Sequence, residues 1–346
     1  MSKNKKVMVG MSGGIDSSVT AYMLQKEGYE VEGIYLKLHN RTDDYHESNL
    51  GYIDDVAKFL GIKYHILDLS EKFNKDVYEY FVNSYLEGTT PNPCVQCNRN
   101  IKFGAMLDFA KEHGASFLAT GHYATTDGKF FYEAEDKTKD QSYFLSQIKK
   151  EALPFMMFPL SNYKKEDIIK LGANLDVAYK KITEKNESQE ICFVETVYTD
   201  VIKRHANIDQ EGDVLDENGN VVGKHKGYAH YTIGKRKGFT VKGAQIPHFV
   251  TKLNPKDNTI VVGKRESLEV NEVLGDNLNM FVDDKKFSCG VKLRYRTTTT
   301  PCDVEIVADK ALIYLKEPAF GVASGQLAVF YDGNKVIGSA FIQSAK

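Results

Sequence analysis

"VGMSGGIDSS", Val9 to Ser18, joins a predicted strand to a predicted helix. The apolar run Val7–Val9 before it predicts a buried strand, and the apolar residues from Ile15 to Met23 recur at helical spacing until Gly28 ends the helix. The loop between them is made of glycines, serines and one aspartate, so it brings backbone N–H groups and a helix N-terminus towards an anion. The stretch predicts a phosphate-binding loop, although a plain turn with an ordinary helix cap would use the same residue types.

Two common nucleotide-binding motifs are absent from the sequence. The loop is not a Walker A loop, because the chain contains no G-x-x-x-x-G-K-[ST]. A dinucleotide site also loses its main support, because no G-x-G-x-x-G is present.

Composition limits the class of protein. A chain of 346 residues is long enough for about two or three domains that each bury a core. We expect no membrane partner and no signal peptide, because no apolar run is long enough to span a bilayer and Met1–Lys6 leads directly into a strand. Five cysteines do not match a secreted disulfide framework, so we expect a cytoplasmic protein with reduced thiols. The net charge of −2 neither requires nor excludes nucleic acid.

Strands and helices alternate up to about residue 150, which predicts an α/β domain with a parallel sheet covered by helices. Ligands of such sheets bind beyond the carboxyl ends of the strands. Gly10–Ser17, Leu36–His39 and Ala119–Tyr123 lie at the carboxyl ends of three predicted strands, so we expect them to line one crevice. The strands are predicted at 6–10, 30–37, 62–68 and 115–120, and the helices near 15–27, 50–60, 71–87, 99–113 and 164–181.

The second half of the chain has a different character. Residues 209–220 predict a polar hairpin, and from about residue 270 short strand-like runs separated by turn residues predict a C-terminal β-barrel. The domains expected from these changes are 1–195, 196–264 and 265–346.

Two basic segments lie in this half. Lys224–Lys242 contains six Lys or Arg and no Asp or Glu, and Lys292–Arg296 is also basic. Both contain aromatic residues, which suits a nucleic-acid backbone and an unstacked base. A solvated surface is the alternative explanation.

Three cysteines stand out. "TPNPCVQCNRNIKFG", Thr90 to Gly104, places Cys94 and Cys97 in a C-x-x-C that we expect in a loop between helices, and Cys192 lies alone in "ESQEICFV". Such a set is compatible with half a zinc site, a redox pair or three ligands of an iron–sulfur cluster. The remaining two, Cys289 and Cys302, are predicted to be small core residues.

These motifs together resemble the tRNA-specific 2-thiouridylase family, and the resemblance covers nearly the whole chain. The phosphate loop alone is typical of the wider ATP pyrophosphatase (PP-loop) class, whereas the cysteine motifs and the downstream motifs specify the family. The resemblance implies an adenine-nucleotide alpha-hydrolase-like N-terminal domain, followed by a central domain and a β-barrel that both bind tRNA. The motifs that carry it are "GMSGGIDSS", "TPNPCVQCNRNIKFG", "ATGHYA", "KDQSYFLS", "SQEICFV", "GYAHYTIGKRKG", "LRYR" and "SGQLAVFYDG".

The resemblance implies a sulfurtransferase that converts U34 of tRNAs for Glu, Gln and Lys to 2-thiouridine. ATP would adenylate the C2 oxygen, a sulfur nucleophile would attack C2, and AMP and pyrophosphate would be released. The implied partners are the tRNA and a sulfur donor or relay protein fed by a cysteine desulfurase. Two alternatives are a ligase of the same ATP class that acts on another substrate, and a non-catalytic tRNA-binding or sulfur-carrier protein that retains the nucleotide loop as a relic.

The resemblance also implies an ATP site in which Asp16 is catalytic and holds Mg²⁺ through the nucleotide. At Leu36 the family more often has methionine. The implied ATP-binding residues are Gly10, Met11, Ser12, Gly13, Gly14, Ile15, Asp16, Ser17, Leu36 and Gly121.

For the sulfur chemistry, the resemblance implies a persulfide on Cys192 and a nucleophile at Cys97 that closes a disulfide with it. We expect a depressed thiol pKa at both, because the thiolate is the reactive form, with Arg99, Lys102 and His122 as helpers. The implied contacts with the target base and the tRNA are Asn92, Pro93, Cys94, His122, Lys139, Asp140, Gln141, Arg294, Tyr295 and Gln326.

One residue departs from the family pattern. Many members carry aspartate where this chain has Cys94, so the acid/base role given to that aspartate does not transfer. Cys94, Cys97 and Cys192 could instead ligate a [4Fe–4S] cluster that delivers sulfide, which is the alternative to the persulfide route.

Overall fold

A five-stranded parallel sheet positions the phosphate loop. The computed structural model describes residues 5–39, 43–183 and 191–346. In chain order, the elements up to residue 183 are β1 (Lys6–Gly10), α1 (Ile15–Lys26), β2 (Glu30–Lys37), α2 (Asp43–Leu60), β3 (Tyr64–Asp68), α3 (Ser70–Phe73), a π-helical turn (Asn74–Tyr78), α4 (Glu79–Leu86), α5 (Pro93–Gln96), a π-helix (Cys97–Ala105), α6 (Met106–Glu112), β4 (Phe117–Ala119), β5 (Thr125–Thr126), β6 (Phe131–Tyr132), α7 (Ser142–Leu145), a 3₁₀-helix (Lys150–Phe155), β7 (Met156–Met157), α8 (Lys165–Ala173) and α9 (Val177–Thr183).

The remaining elements are mostly strands. They are α10 (Tyr198–Lys203), β8 (Gly212–Leu215), β9 (Val221–His225), a 3₁₀-helix (Tyr228–His230), β10 (Phe249–Asn254), β11 (Thr259–Gly263), a 3₁₀-helix (Arg265–Leu268), β12 (Glu269–Met280), β13 (Lys286–Lys292), β14 (Thr300–Val307), β15 (Lys310–Phe320), β16 (Leu327–Asp332) and β17 (Lys335–Ala345).

The chain forms two compact units. The first contains the residues up to Val77, then Cys94–Phe193 and Asn334–Ile337, and the second contains Tyr78–Pro93, Val194–Gly333 and Gly338–Lys346. The three domain boundaries expected from the sequence divide the chain differently, by sequence character, and stay a prediction. Within the described ranges, no helix is long and apolar enough to cross a membrane.

The sheet of the first unit has the order β3-β2-β1-β4-β7, and every pair in it is parallel. Val7, Met8 and Val9 have no exposed surface, as expected for a central strand covered on both faces. The four predicted strands are confirmed, and the predicted parallel α/β fold with them. β7 was not predicted, because two methionines after a 3₁₀-helix give no periodicity to detect.

The predicted loop around the C-x-x-C motif is wrong. The chain is helical from Pro93, so Cys94 lies in α5 and Cys97 begins the π-helix. Asn-Pro suggested a turn, but proline is also favoured at the first position of a helix, where its missing N–H costs no hydrogen bond. The two cysteines are therefore held on rigid helical backbone.

The second unit contains two sheets. A four-stranded sheet has the order β10-β11-β8-β9, and its β8–β9 pair is the predicted polar hairpin. The carboxylate of Asp216 fixes the turn of this hairpin by accepting hydrogen bonds from the N–H groups of Asn218 (2.9 Å) and Asn220 (2.8 Å). The apolar side chains behind the sheet are those of Val214, Tyr231, Val250, Ile260 and Val262.

The predicted C-terminal barrel is confirmed. Six antiparallel strands follow the order β12-β15-β14-β13-β16-β17, and β17 pairs with β12 to close the cylinder. Closure pairs the edges that an open sheet would expose. β13 ends at Lys292, so Arg294 and Tyr295 of the second basic segment lie in the connection between β13 and β14.

Two glycines of the first unit provide a matched test of this packing. A Cβ on Gly33 would lie 2.6 Å from the sulfur of Met11 and 2.9 Å from Cβ of Tyr64, whereas a Cβ on Gly51 in α2 would meet nothing within 4 Å. We expect Gly33→Ala to lower the free energy of unfolding by about 1–3 kcal/mol through overpacking. Gly51→Ala should raise it by about 0.5–1 kcal/mol, because alanine is the better helix former. Urea denaturation measures both, and a stable Gly33→Ala protein would contradict the strand packing.

Candidate active site

The phosphate loop is organised by its own serines. The Ser17 hydroxyl donates to Gly14 O (3.0 Å) and accepts the Ser12 N–H (3.2 Å), and the Ser18 hydroxyl also donates to Gly14 O (3.0 Å). Gly13 has φ +73°, and a Cβ there would meet the backbone of Asn49 at 3.0 Å. Only glycine fits this position without strain.

The N-terminus of α1 is free of a side-chain cap. Its N-cap residue is Gly14, and no side chain caps the first turn. The first N–H groups of a helix have no partners within the helix, and together with the helix dipole they favour a bound anion. The alternative of an ordinary serine or aspartate cap is therefore wrong, and the geometry suits a phosphate group.

Gly121 contacts this loop directly. It follows β4, and a Cβ on it would lie 2.8 Å from Cβ of Asp16 and 3.0 Å from the backbone nitrogen of Ser17. The loop is also fixed to the neighbouring strand, because the Met11 N–H donates to Ile34 O (2.8 Å). The segments after β1 and β4 therefore meet as expected for the carboxyl ends of adjacent parallel strands. Leu36, half-buried, lies near the end of β2.

Asp16 has partners that the sequence did not reveal. Lys165 Nζ lies 2.7 and 2.8 Å from its two carboxylate oxygens, and the Tyr123 hydroxyl donates to it at 2.9 Å. Lys165 is buried at the first position of α8. A buried cation at a helix N-terminus is unfavourable unless an anion compensates it. The sequence signal for this pair is a lysine in the first turn of a predicted helix, where acidic residues are preferred.

The π-helix that begins at Cys97 is anchored by hydrogen bonds to the segment around α7. The Asn98 amide donates to Phe144 O (3.1 Å), and Arg99 Nη1 donates to the buried Gln147 Oε1 (2.6 Å). Arg99 was expected to assist the thiols, but the bond shown for it goes to this glutamine. Cys97 is buried, whereas Cys94 and Cys192 are exposed.

The expected depression of the Cys97 pKa is wrong. Burial raises the pKa of this thiol to about 12, and the charge of Lys102 opposes that rise without cancelling it. Cys192 and Cys94 lie near enough to Cys97 for their charges to add to the rise. Surrounding protein atoms also desolvate the thiol of Cys94 and raise its pKa, although part of the residue is exposed to solvent. Desolvation disfavours a thiolate, and a single nearby ammonium group does not compensate for it here.

His122 lies between the phosphate loop (the nucleotide loop, Gly10–Ser17) and the thiol region, which comprises Cys94, Cys97, Cys192 and Lys102. Its Nδ1 lies 2.7 Å from Thr120 Oγ1, and its Nε2 lies 3.4 Å from Lys102 Nζ. Burial first, and the charge of Lys102 second, lower the pKa of His122 well below its usual range. The ring is neutral. Because the ammonium group can only donate, Nε2 is the acceptor and Nδ1 carries the proton that is donated to Thr120.

The iron–sulfur alternative does not fit the donor geometry. Among the residues that the structure describes, no three His, Cys, Asp or Glu side chains converge to hold a metal ion. Cys94, Cys97 and Cys192 are neighbours but do not form such a set.

The residues expected to contact tRNA fall in both units. In the first, Asp140 is buried and accepts hydrogen bonds from the Ala134 N–H (2.9 Å) and the Ser142 hydroxyl (2.8 Å). Gln141 Oε1 accepts the Tyr123 N–H (2.9 Å). Both side chains thus bond to other residues of the same unit. Lys139 immediately precedes them, and its backbone N–H donates to Asp136 O (3.1 Å).

In the second unit, Gln326 Nε2 donates to the carbonyls of Thr90 (3.0 Å) and Pro91 (3.1 Å), and so fixes the segment that leads to Asn92 and Pro93. Arg294 Nη2 donates to Gly321 O and to Ile233 O (3.3 Å), and Tyr295 is half-buried beside it.

Comparison with known proteins identifies the family. Three family models match consecutive parts of the chain: tRNA methyl transferase HUP domain (residues 5–196), tRNA methyl transferase PRC-barrel domain (199–264) and aminomethyltransferase beta-barrel domain (270–342). A tRNA-specific 2-thiouridylase of Aliarcobacter butzleri is 82% identical over 100% of both chains.

Two further 2-thiouridylases show the same full-length similarity. That of Sulfurimonas denitrificans is 55% identical over 98% of this chain and 99% of its own, and that of Campylobacter jejuni strain RM1221 is 53% identical over 98% and 100%. The chain belongs to the tRNA-specific 2-thiouridylase family.

The ion pair between Lys165 and Asp16 generates a first prediction for the candidate site. We expect Lys165→Met to lower the free energy of unfolding, because it leaves a partly buried carboxylate without its cation. Adding Asp16→Asn should recover part of the loss, which corresponds to a coupling energy of about 1–3 kcal/mol. Urea denaturation of both single variants and the double variant measures this. Lys164→Met, at the exposed neighbouring lysine, is the matched control. Additive effects of the two substitutions would contradict the pairing.

The raised pKa of Cys97 generates a second prediction. Because only the thiolate reacts, iodoacetamide should alkylate Cys97 at neutral pH on the order of a thousandfold more slowly than an ordinary thiol with a pKa near 8.5. The rate should rise about tenfold per pH unit from 7 to 9 without reaching a plateau. Mass spectrometry of the Cys97 peptide measures this. Lys102→Gln should slow the reaction further and Lys102→Arg should not, whereas a plateau below pH 9 would show that the thiol is not desolvated.

Proposed function

We propose that the protein catalyses ATP-dependent 2-thiolation of U34 in tRNAs for Glu, Gln and Lys, and releases AMP and pyrophosphate. One observation carries the proposal: the segment Thr120–Tyr123 contacts both the nucleotide loop and the thiol region. Gly121 and Tyr123 meet Asp16, and His122 meets Lys102, whose charge acts on Cys97. An activating nucleotide and a sulfur nucleophile must act on the same carbon. This segment contacts both the loop proposed to bind the nucleotide and the lysine beside the proposed sulfur chemistry.

The first half of the reaction is adenylation. The uncapped N–H groups of α1 and the backbone around Gly13 and Gly14 bind the phosphates. The C2 oxygen of U34 attacks the α-phosphorus, pyrophosphate leaves, and the oxygen becomes part of an AMP leaving group. Mg²⁺ bound with ATP would neutralise phosphate charge, and Asp16 is the residue that would hold it. In the structure, Lys165 and Tyr123 fix the position of that carboxylate.

The second half is sulfur transfer from a persulfide on Cys192. The terminal sulfur attacks C2, and AMP leaves with the original oxygen. The thiolate of Cys97 then attacks Sγ of Cys192, which forms a disulfide between the two cysteines and releases the 2-thiouridine. A thiol reductant and a sulfur donor protein, fed by a cysteine desulfurase, restore the Cys192 persulfide.

The burial of Cys97 has a function in this sequence of steps. A thiol with a pKa of about 12 stays protonated at neutral pH, so it does not attack the Cys192 persulfide before the tRNA has received the sulfur. Lys102 is the cation that stabilises the thiolate when the last step requires it. The resolving step is therefore the one we expect to depend most on Lys102.

The remaining assignments complete the proposal. Residues 1–195 form the catalytic PP-loop domain, 196–264 and 265–346 form two tRNA-binding domains, and the enzyme acts in the cytoplasm. Support for tRNA binding comes from the basic aromatic segment Lys224–Lys242 and from Arg294 beside Tyr295.

Thiolation in vitro tests the proposal. The protein is incubated with ATP, Mg²⁺, unmodified tRNA for Glu and a thiol reductant, with a cysteine desulfurase and cysteine as the source of persulfide sulfur, and the product is followed on a mercury-containing gel that retards thiolated RNA. We expect a retarded band that Asp16→Ala and Cys192→Ser each abolish, while Lys164→Met retains it. AMP formation with Asp16→Ala, or thiolation with Cys192→Ser, would contradict the assigned roles. Stoichiometric iron and acid-labile sulfide after anaerobic purification would contradict the persulfide route and favour the cluster.

A further inference from the structure

Two cysteines that the proposed chemistry does not use face each other in the barrel. Cys289 lies on β13 and Cys302 on β14, directly opposite each other in the antiparallel register. Their sulfur atoms are 3.6 Å apart, and both thiols are free. They are therefore more than the separate small core residues that the sequence predicted, because they form a contacting dithiol.

The geometry of the pair is compatible with a disulfide. Directly opposite residues of antiparallel strands have Cα atoms about 4.5–5.5 Å apart, which lies within the range found in disulfides. A bond of about 2.05 Å requires the two sulfur atoms to approach by about 1.5 Å from their present 3.6 Å. Rotation of the side chains supplies most of that movement, so the strands need not separate.

The two thiols differ in their exposure to solvent. Cys289 is half-buried, whereas Cys302 has no exposed surface. A small oxidant therefore meets Cys289 first, and Cys302 is placed to resolve the adduct. The hydrogen bond with Cys302, and burial after it, hold the pKa of Cys289 well above its usual range. A raised thiol pKa lowers the thiolate fraction, so the attack of Cys289 on an oxidant is slow at neutral pH.

We propose that Cys289 and Cys302 form a reversible dithiol–disulfide couple that takes oxidising equivalents from a low-molecular-weight disulfide. The Cys289 thiolate attacks one sulfur of the small disulfide, and the first small thiol leaves with the proton that Cys289 has lost. The Cys302 thiolate then attacks Cys289 Sγ, the mixed disulfide breaks, and the second small thiol leaves with the proton of Cys302. The two cysteines are oxidised together, and one small disulfide is reduced to two thiols.

The disulfide would restrain one hairpin of the barrel. β13 and β14 are joined by residues 293–299, and this connection carries Arg294 and Tyr295. Closing the loop from Cys289 to Cys302 limits the conformations open to that connection. An effect of this restraint on tRNA binding rests on the proposed function. The redox chemistry of the pair does not depend on that function.

Oxidation of the full-length protein tests the couple without tRNA or ATP. The protein is reduced, desalted and incubated in mixtures of reduced and oxidised glutathione, and free thiols are then trapped with N-ethylmaleimide in denaturant, so that the buried Cys302 is also accessible. Peptide mass spectrometry should show Cys289 and Cys302 linked with the loss of two hydrogens, and dithiothreitol should reverse the link. Both cysteines alkylated across the whole series, or a stable glutathione adduct on Cys289 in the unsubstituted protein, would overturn the proposal.

A resolving-cysteine variant supplies the control. In Cys302→Ala, Cys289 should accumulate as an unresolved glutathione adduct, and in Cys289→Ala, the buried Cys302 should stay unmodified. If these variants do not fold, hydrogen exchange in the unsubstituted protein decides the question. Oxidation should slow amide exchange in residues 286–307 at least about tenfold, and unchanged exchange in fully cross-linked protein would overturn the proposed restraint. None of these readouts depends on thiolation, so failure here leaves the proposed function standing.

Discussion

The close approach of Gly121 to the first turn of α1 is the constraint on which the candidate site depends. No side chain fits between Gly121 and Asp16, so the segment after β4 lies directly on the phosphate loop. Because its neighbour His122 reaches Lys102, the same short segment extends to the thiol region. A larger residue at position 121 would separate the loop from that segment. The glycine thus matters for close packing, and its conformational freedom is secondary.

The two halves of the site use charge in opposite ways. The carboxylate of Asp16 is held in place by the ammonium of Lys165 and the hydroxyl of Tyr123. Cys97 is desolvated so strongly that its thiol is kept neutral despite the nearby Lys102. In the proposed reaction, a fixed carboxylate suits the role of Asp16, which is to organise the bound phosphates and their metal ion. A neutral thiol suits the role proposed for Cys97, which is to stay unreactive until the sulfur has been delivered.

The local fold could be predicted from the sequence wherever a strong pattern was present. The apolar strand before Gly10, the helical spacing after Ile15 and the β-branched runs of the barrel each gave the correct element. Contacts between distant residues could not be predicted, because no periodicity marks them. Lys165 meets Asp16 across 149 positions of sequence, and only the folded sheet brings them together.

The prediction of a depressed pKa for Cys97 was wrong for a related reason. A C-x-x-C with basic neighbours suggests a reactive thiolate, but the sign of the shift depends on burial, which a motif does not report. The helical start at Pro93 was missed because proline after asparagine is typical of turns as well as of helix N-termini. The site residues that resemblance placed on the phosphate loop lie where the geometry suits a phosphate. Their contacts with a bound nucleotide, and the contacts of the others with tRNA, stay predictions.

The fate of the C2 oxygen tests the central claim most directly. A tRNA for Glu carrying ¹⁸O at C2 of U34 is incubated with the protein, ATP, Mg²⁺, a thiol reductant, and a cysteine desulfurase with cysteine as the source of persulfide sulfur, and the AMP is analysed by mass spectrometry. Our account predicts that each thiolated tRNA yields one AMP that contains ¹⁸O, because the oxygen leaves as part of the adenylate. Thiolated tRNA formed with unlabelled AMP would contradict it, since the oxygen would then have left by another route.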